Sequence, residues 1–254
     1  MLLLQRYFVS ESNWSTDDVV TITGNDVHHI TRVMRMDKGD EIICNHLDGR
    51  SATCTIEQVS SDFVIANVVE WRDEKVELPV HVTIAQGLPK SDKLDLILQK
   101  GTELGASAFI PFQADRSVVK WDQKKIVKKL DRFKKIVKEA SEQSHRSFIP
   151  TVESIYSFKQ LLEDSQNYDV KLFAYEEEAR SDNFQKLSDV LNQIQINHKV
   201  IACIGPEGGY TIEEVNALKQ AGFHSVRLGP RILRTETASL YLLASISYHF
   251  EELR

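Results

Sequence analysis

Two short stretches combine residue types that suit a ligand site: Gly205-Pro206-Glu207-Gly208-Gly209, and Leu228-Gly-Pro-Arg-Ile-Leu-Arg-Thr-Glu-Thr-Ala238. Glycine lets a backbone approach a bound group closely and take positive φ, while proline stiffens the turn that presents it. A glycine-rich turn ahead of a helix start also suits an anion, because free N–H groups point outward there. The lysine and hydroxyl of a P-loop are missing, since no Gly-Lys-Ser/Thr lies between Gly205 and Tyr210. No Gly-x-Gly-x-x-Gly follows a strand, so dinucleotide binding has little support. The second stretch sets Arg231, Arg234 and Glu236 around Ile232 and Leu233. That alternation fits a loop that wraps a flat ligand and aims charge at a reacting centre. Either stretch alone reads equally well as a plain turn; two in one segment favour a site.

Each stretch is placed by the same grammar. The first follows the β-branched run 200–204 and precedes Thr211-Ile-Glu-Glu214, which has the hydroxyl and carboxylate spacing of a capping box. The second follows Ser225-Val-Arg-Leu228. Two strand-to-helix turns in one α/β segment belong at the carboxyl edge of a sheet, where ligands bind. From Val80 onward strands alternate with helices: strands at 81–85, 109–112, 171–174 and 200–204, helices at 93–104 and 157–163, and an apolar final helix over about 237–253. A helix apolar on much of its circumference needs cover on more than one side, from its own domain or a second subunit. Residues 1–70 read differently, as short alternating strands with an Asp48-Gly49 hairpin signal, which predicts a small β-barrel. A helix over 25–36 interrupts them and carries His28, His29, Arg32 and Arg35. The charged stretch 71–79 ends in proline and marks a boundary, giving domains 1–72 and 73–254.

A chain of 254 residues, 42% hydrophobic and 27% charged, has room for two modest cores. The apolar start Met1-Leu-Leu-Leu4 stops at Gln5-Arg6, too short for a signal h-region, and no run is long enough to span a membrane. Three cysteines are an odd count, and a two-residue hairpin at Asp48-Gly49 sends Cys44 and Cys54 to opposite faces, so no disulfide is expected and a cytoplasmic location fits. Cys44-Asn-His46 has no second ligand pair, which leaves no metal site. The net charge of −6 hides segregation. Between Lys120 and Lys138 nine Lys and Arg residues, Lys124 and Lys128 among them, face only Asp122 and Asp131. Ile126, Leu130, Phe133 and Val137 recur at helical spacing beneath them, so the run is an amphipathic helix whose outer face is either solvated or set against phosphates.

The two glycine stretches resemble the cofactor loops of the RsmE family, small-subunit ribosomal RNA uridine N3-methyltransferases of the SPOUT superfamily. The similarity runs through the chain: Arg6-Tyr-Phe8, His29-Ile-Thr-Arg-Val-Met-Arg35 with Gly39-Asp40, Gln99-Lys-Gly-Thr-Glu-Leu-Gly105, and Glu142-Gln143 with Arg146 and Pro150. It implies an N-terminal PUA-like β-barrel that binds RNA and a C-terminal α/β domain with a deep trefoil knot. It further implies S-adenosylmethionine as cofactor, a homodimer, and transfer of the methyl group to N3 of a uridine in 16S ribosomal RNA near the decoding region, within the small ribosomal subunit or a late assembly intermediate, with free RNA left open as the substrate. On that resemblance Ala174, Tyr175, Ile204, Gly205, Gly208, Gly209, Leu228, Gly229, Ile232, Leu233, Thr235 and Ala238 hold the cofactor. Arg234 stabilises a uracil oxygen, and Glu236 or Glu207 takes the N3 proton unless it is spent on capping or a salt bridge. Arg6, His29, Arg32 and Arg35, with Lys124 and Lys128, are the expected RNA contacts. Two rivals make other predictions: a small-molecule enzyme using the loops for a nucleotide, and a non-catalytic RNA binder.

Overall fold

A computed structural model gives the fold, with residues 4–16, 18–119, 121, 123–175 and 186–253 described. Lys120 and Asp122 of the basic run lie outside the described residues. Packing divides the chain into two compact units, Met1–Glu77 with Ser141–Ile149, and Leu78–Ala140 with Pro150–Arg254.

The first unit is a six-stranded sheet of β1 (Arg6–Val9), β2 (Trp14–Thr16), β3 (Val19–Thr23), β4 (Glu41–His46), β5 (Ser51–Val59) and β6 (Phe63–Arg72), in the order β1-β4-β5-β6-β3-β2. Only the β1–β4 pair is parallel. Strands β1 and β3 stand well apart in that order yet touch, so the sheet curls towards a barrel around Tyr7, Val20, Ile22, Ile42, Cys44, Cys54 and Ile56. The expected helix over 25–36 is shorter than its pattern: α1 (Asn25–His28) widens into a π-turn over His29–Val33, and Arg35 takes φ 56°.

The hairpin register corrects the cysteine expectation. Asn45 faces Ser51, the His46 amide donates to Arg50 O, and Gly49 sits at φ 94°, so the loop holds three residues with a left-handed glycine rather than two. The one-residue change in register puts Cys44 opposite Ala52 and Cys54 opposite Ile42, on one buried face. Both thiols are nevertheless free.

Strand β6 ends at Arg72, the expected edge of the first domain, but the chain through Glu77 stays with that unit. Glu74 pairs with the buried Arg6 at 2.8 Å, and Glu77 receives Arg146 and the Ser147 amide. The segment 141–149 joins the unit through the same contacts, since Arg146 O accepts from Asn45 and Glu142 accepts from the Phe8 amide.

The second unit is a parallel sheet: β7 (His81–Gly87), β8 (Ala108–Gln113), β9 (Thr151–Val152), β10 (Tyr156–Ser157), β11 (Val170–Ala174), β12 (Lys199–Ile204) and β13 (His224–Val226). Its order is β10-β8-β7-β12-β11-β13, with β9 also on β8. Helices α2 (Lys93–Glu103), α3 (Gln123–Gln143), α4 (Phe158–Asp164), α5 (Leu187–Leu191), α6 (Ile212–Gln220) and α7 (Thr235–Ser247) connect or follow the strands. Val200–Ile204 is buried throughout, as expected for a central parallel strand covered on both faces. The capping box at the start of α6 is present: Thr211 Oγ1 accepts from the Glu214 amide, and Glu214 Oε2 accepts from the Thr211 amide. On α3 the expected apolar stripe faces inward, with Phe133 and Val137 buried and Lys124 and Lys128 exposed.

Candidate active site

Strands β11, β12 and β13 lie side by side and parallel, so their carboxyl ends open on one edge of the sheet. There the chain forms a cleft of about 600 Å³. Its walls come from Ala174 and Tyr175 beyond β11, from Ile204, Gly205, Gly208 and Gly209 beyond β12, and from Leu228, Gly229, Ile232, Leu233, Thr235 and Ala238 after β13. All twelve residues expected around a cofactor therefore meet in one place. Arg234 and Glu207 line the same cleft, while Glu236 stands just outside the lining.

A buried side-chain network ties the start of α7 to the first loop, and two further contacts brace that loop from β7 and from beyond β8. Thr235, the first residue of α7, donates its hydroxyl to Gly205 O at 2.6 Å and accepts from Gln86 Nε2 at 2.8 Å. Ser239, one turn on, donates to Gln86 Oε1 at 2.6 Å. Gln86 and Ser239 are fully buried, and a satisfied polar network at that depth fixes geometry that apolar packing alone leaves loose. Below it, Gly87 packs so closely that an added Cβ would lie 2.6 Å from Pro206 Cδ. On the far side Arg116 donates to Gly208 O at 3.2 Å.

The glycines of the first loop have different duties. A Cβ on Gly208 would lie 2.9 Å from Arg116 Cβ and 3.0 Å from its carbonyl oxygen, so the close approach there is to the segment after β8 rather than to a ligand. Gly209 has open space but φ 66°, and Gly229 in the second loop has φ 81°; both conformations favour glycine.

Charge is organised around Lys93, at the start of α2. Its Nζ lies 3.0 Å from Glu207 Oε1 and 3.1 Å from Glu236 Oε2, and Glu207 also accepts from the Lys90 amide at 3.1 Å. Partial burial raises the Glu207 carboxyl, but the hydrogen bonds from Lys93 and from backbone amides outweigh it and hold the group below the usual carboxylate range. Hydrogen bonding to Glu207 raises the Lys93 ammonium, against some loss from burial, and Glu236 adds to the rise. Both carboxylates named from sequence are thus engaged in a salt bridge. Arg234 is exposed at the N-cap position of α7, with its backbone oxygen accepting from the Ala238 amide.

Lys93, Arg116 and Tyr210 line the cleft without having been anticipated. Lys93 follows the carboxyl end of β7 and Arg116 that of β8, so the edge rule applied to every strand finds both. The expected RNA contacts divide. Arg32 and Arg35 are exposed on the first unit, and Lys124 and Lys128 on α3. His29 is half-buried, with Nδ1 at 3.0 Å from the Tyr7 hydroxyl. Arg6 corrects the expectation of a phosphate grip: it is 3% exposed and spends its guanidinium on Glu74, Asn45 and Arg146 O. Among the described residues no cluster of His, Cys, Asp and Glu is arranged to hold a metal ion, and no helix is long and apolar enough to cross a membrane.

Comparison with known proteins decides the family. Residues 76–247 match the RNA methyltransferase domain, and residues 22–69 the RNA methyltransferase PUA domain. The ribosomal RNA small subunit methyltransferase E of Bacillus subtilis is 49% identical over 253 residues, 99% of either chain. The chain belongs to the ribosomal RNA small subunit methyltransferase E family. Its Mycobacterium tuberculosis member is 33% identical over 91% of this chain and 87% of its own. The crystal structure of the Neisseria gonorrhoeae member bound to S-adenosyl methionine superposes with a TM-score of 0.86 at 29% identity, covering 98% of each chain. The fold is therefore that of this family, a PUA-like unit followed by an α/β methyltransferase unit.

Proposed function

We propose that the protein uses S-adenosylmethionine to methylate N3 of one uridine in 16S ribosomal RNA. The observation that carries this reading is the convergence of both glycine loops and the end of β11 on one cleft, in a chain of this family. The residues fit the cofactor. About 600 Å³ lies in the range of small-molecule sites, and Ile204, Leu228, Ile232, Leu233 and Ala238 offer apolar walls for a flat purine. When bound, S-adenosylmethionine supplies a methyl group already activated by its sulfonium, so the protein's work is alignment and handling of the N3 proton.

Uracil N3 keeps its proton at neutral pH, and its removal leaves an anion spread over both ring oxygens. Arg234, permanently charged and planar, suits those oxygens. Glu207 lines the cleft and we assign it, rather than Glu236, the proton; a carboxylate this weak in basicity works only with Arg234, in the same lining, stabilising the anion. The exposed Arg32 and Arg35, with Lys124 and Lys128 on α3, are the proposed phosphate contacts. The homodimer belongs to the same proposal, supported by Tyr241, Tyr248 and Leu253, which are 41%, 57% and 61% exposed along α7 and just after it. So does the deep trefoil knot, supported by the meeting of the loops after β11, β12 and β13 at one edge, and a cytoplasmic setting. Thermal unfolding with S-adenosylmethionine, with ATP and with no ligand tests the reading. A rise in Tm with S-adenosylmethionine alone supports it; a rise with ATP alone favours a nucleotide enzyme, and no rise a non-catalytic RNA binder.

A further inference from the structure

Glu207 and Glu236 come from separate loops, yet one ammonium reaches both. With contacts of 3.0 and 3.1 Å to the same Nζ, the two carboxylate oxygens stand within about 6 Å of each other, close enough for each to oppose the other's ionisation. An isolated surface ion pair adds little to stability, so stability gives little reason to bring two like charges together in a cleft wall. The arrangement does constrain position. Glu236 is the less exposed carboxylate, 13% against 28%, and lies in the first turn of α7, two residues after Arg234. Lys93 is fixed by α2, which packs on α7, and on a glycine loop whose backbone Thr235 and Arg116 already hold, the Glu207 carboxylate is directed by Lys93 and the Lys90 amide.

We propose that Lys93 is a positioning residue for methyl transfer: Glu236 anchors its ammonium, and the ammonium aims the Glu207 carboxylate into the cleft at a fixed distance from the start of α7. The inference rests on the assignment of Glu207 as proton acceptor. Lys93 itself transfers no proton in this scheme. The charged groups around Glu207 are Lys90 and Lys93 before and on α2, Arg116 beyond β8, Arg231 and Arg234 in the second loop, and Glu236 on α7. Arg116 is engaged with Gly208 O, and Lys90 contributes its backbone amide to Glu207. Lys93 is therefore the cation whose removal changes Glu207 most. Without it the neighbouring carboxylates repel, Glu207 takes up a proton more readily, and its carboxylate is no longer aimed.

The test compares wild type, K93M, K93R and E236Q by turnover on small ribosomal subunits across pH, by calorimetry with S-adenosylmethionine, and by carbon-detected NMR titration of the Glu207 carboxyl. K93M should lower kcat at least about tenfold and move the acid limb of its pH profile up by about one pH unit, while Kd for S-adenosylmethionine changes by less than about threefold. K93R should restore most of kcat, and E236Q should lower kcat through the loosened lysine with cofactor affinity kept. Unchanged kcat in K93M overturns the proposal, as do equal losses of kcat and cofactor affinity, which would make Lys93 a plain structural tie. The titration needs no turnover: an unshifted carboxyl in K93M overturns the clamp even if wild type methylates nothing. Absence of turnover in wild type with a carboxyl that does shift overturns the proposed reaction instead. Should K93M fail to fold, K93R and E236Q carry the same readouts.

Discussion

Arg234 and Glu207 share a cleft wall but differ in what holds them, and their variants should differ accordingly. Arg234→Ala takes away an exposed cation, so turnover should fall by about a hundredfold, the usual loss for one oxyanion partner, with cofactor affinity nearly unchanged. Equal losses in kinetics and calorimetry would make Arg234 a binding residue. Gly208→Val drives a side chain into Arg116 and should displace the first loop, seen as at least about tenfold weaker cofactor binding; intact affinity would mean the loop tolerates the collision. The Glu207 carboxyl lies below its unfolded value, so its contribution to stability is present above the ordinary carboxylate range and disappears as pH falls through the lower folded value. At this scale the sequence was informative wherever local chemistry decides. Glycine turns and charge among apolar residues marked the two loops as a ligand site, while the twelve residues named for the cofactor came from the family resemblance, and all twelve line the cleft. Arg6 was misread because its burial depends on Glu74, 68 positions away. The place of Lys93 follows from the strand-edge rule, but its pairing does not, because its partners come from two other connections.

The elements were legible in proportion to how local their signals are. Thr211 and Glu214 announce a helix start by spacing alone, and the capping box is there. Thr211→Ala should cost about 1 kcal/mol of unfolding free energy by urea denaturation. Glu214→Ala should cost more, because Glu214 Oε1 also accepts from the Asp115 amide, which would be left without that partner. Gln86→Leu should destabilise by about 1–3 kcal/mol, since Thr235 and Ser239 lose their buried partner together. The hairpin at Asp48-Gly49 was harder, because the same dipeptide serves loops of two and three residues and only the register of β4 against β5 separates them. Helix α1 gave way to a wide turn although its pattern continued, and Arg35 at positive φ marks where it stops. Sheet order in the second unit was only partly readable: β12 pairs with β11, the strand before it, but also with β7, from which β8 to β11 separate it in the chain.

For the whole molecule, net charge is a poor guide and its segregation a better one. The chain carries −6 overall, yet the exposed face of α3 is lined with lysines. Reversing Lys124 and Lys128 to Glu should weaken RNA binding and reduce the slope of log K against log salt by about two, with no change in cofactor affinity. An unchanged slope would leave α3 as a solvated surface. The division into units was only partly legible, because 141–149 returns to the first unit through Arg146, Asn45 and Glu142, contacts that composition along the chain does not reveal. The central claim concerns the reaction itself. Mass analysis of 16S ribosomal RNA from a strain lacking this protein, before and after incubation of its small subunits with the purified protein and S-adenosylmethionine, tests it most directly. The account predicts one uridine that lacks a methyl group at N3 and regains it on incubation; RNA already fully methylated without the protein, or a methyl group gained at any other atom, contradicts it.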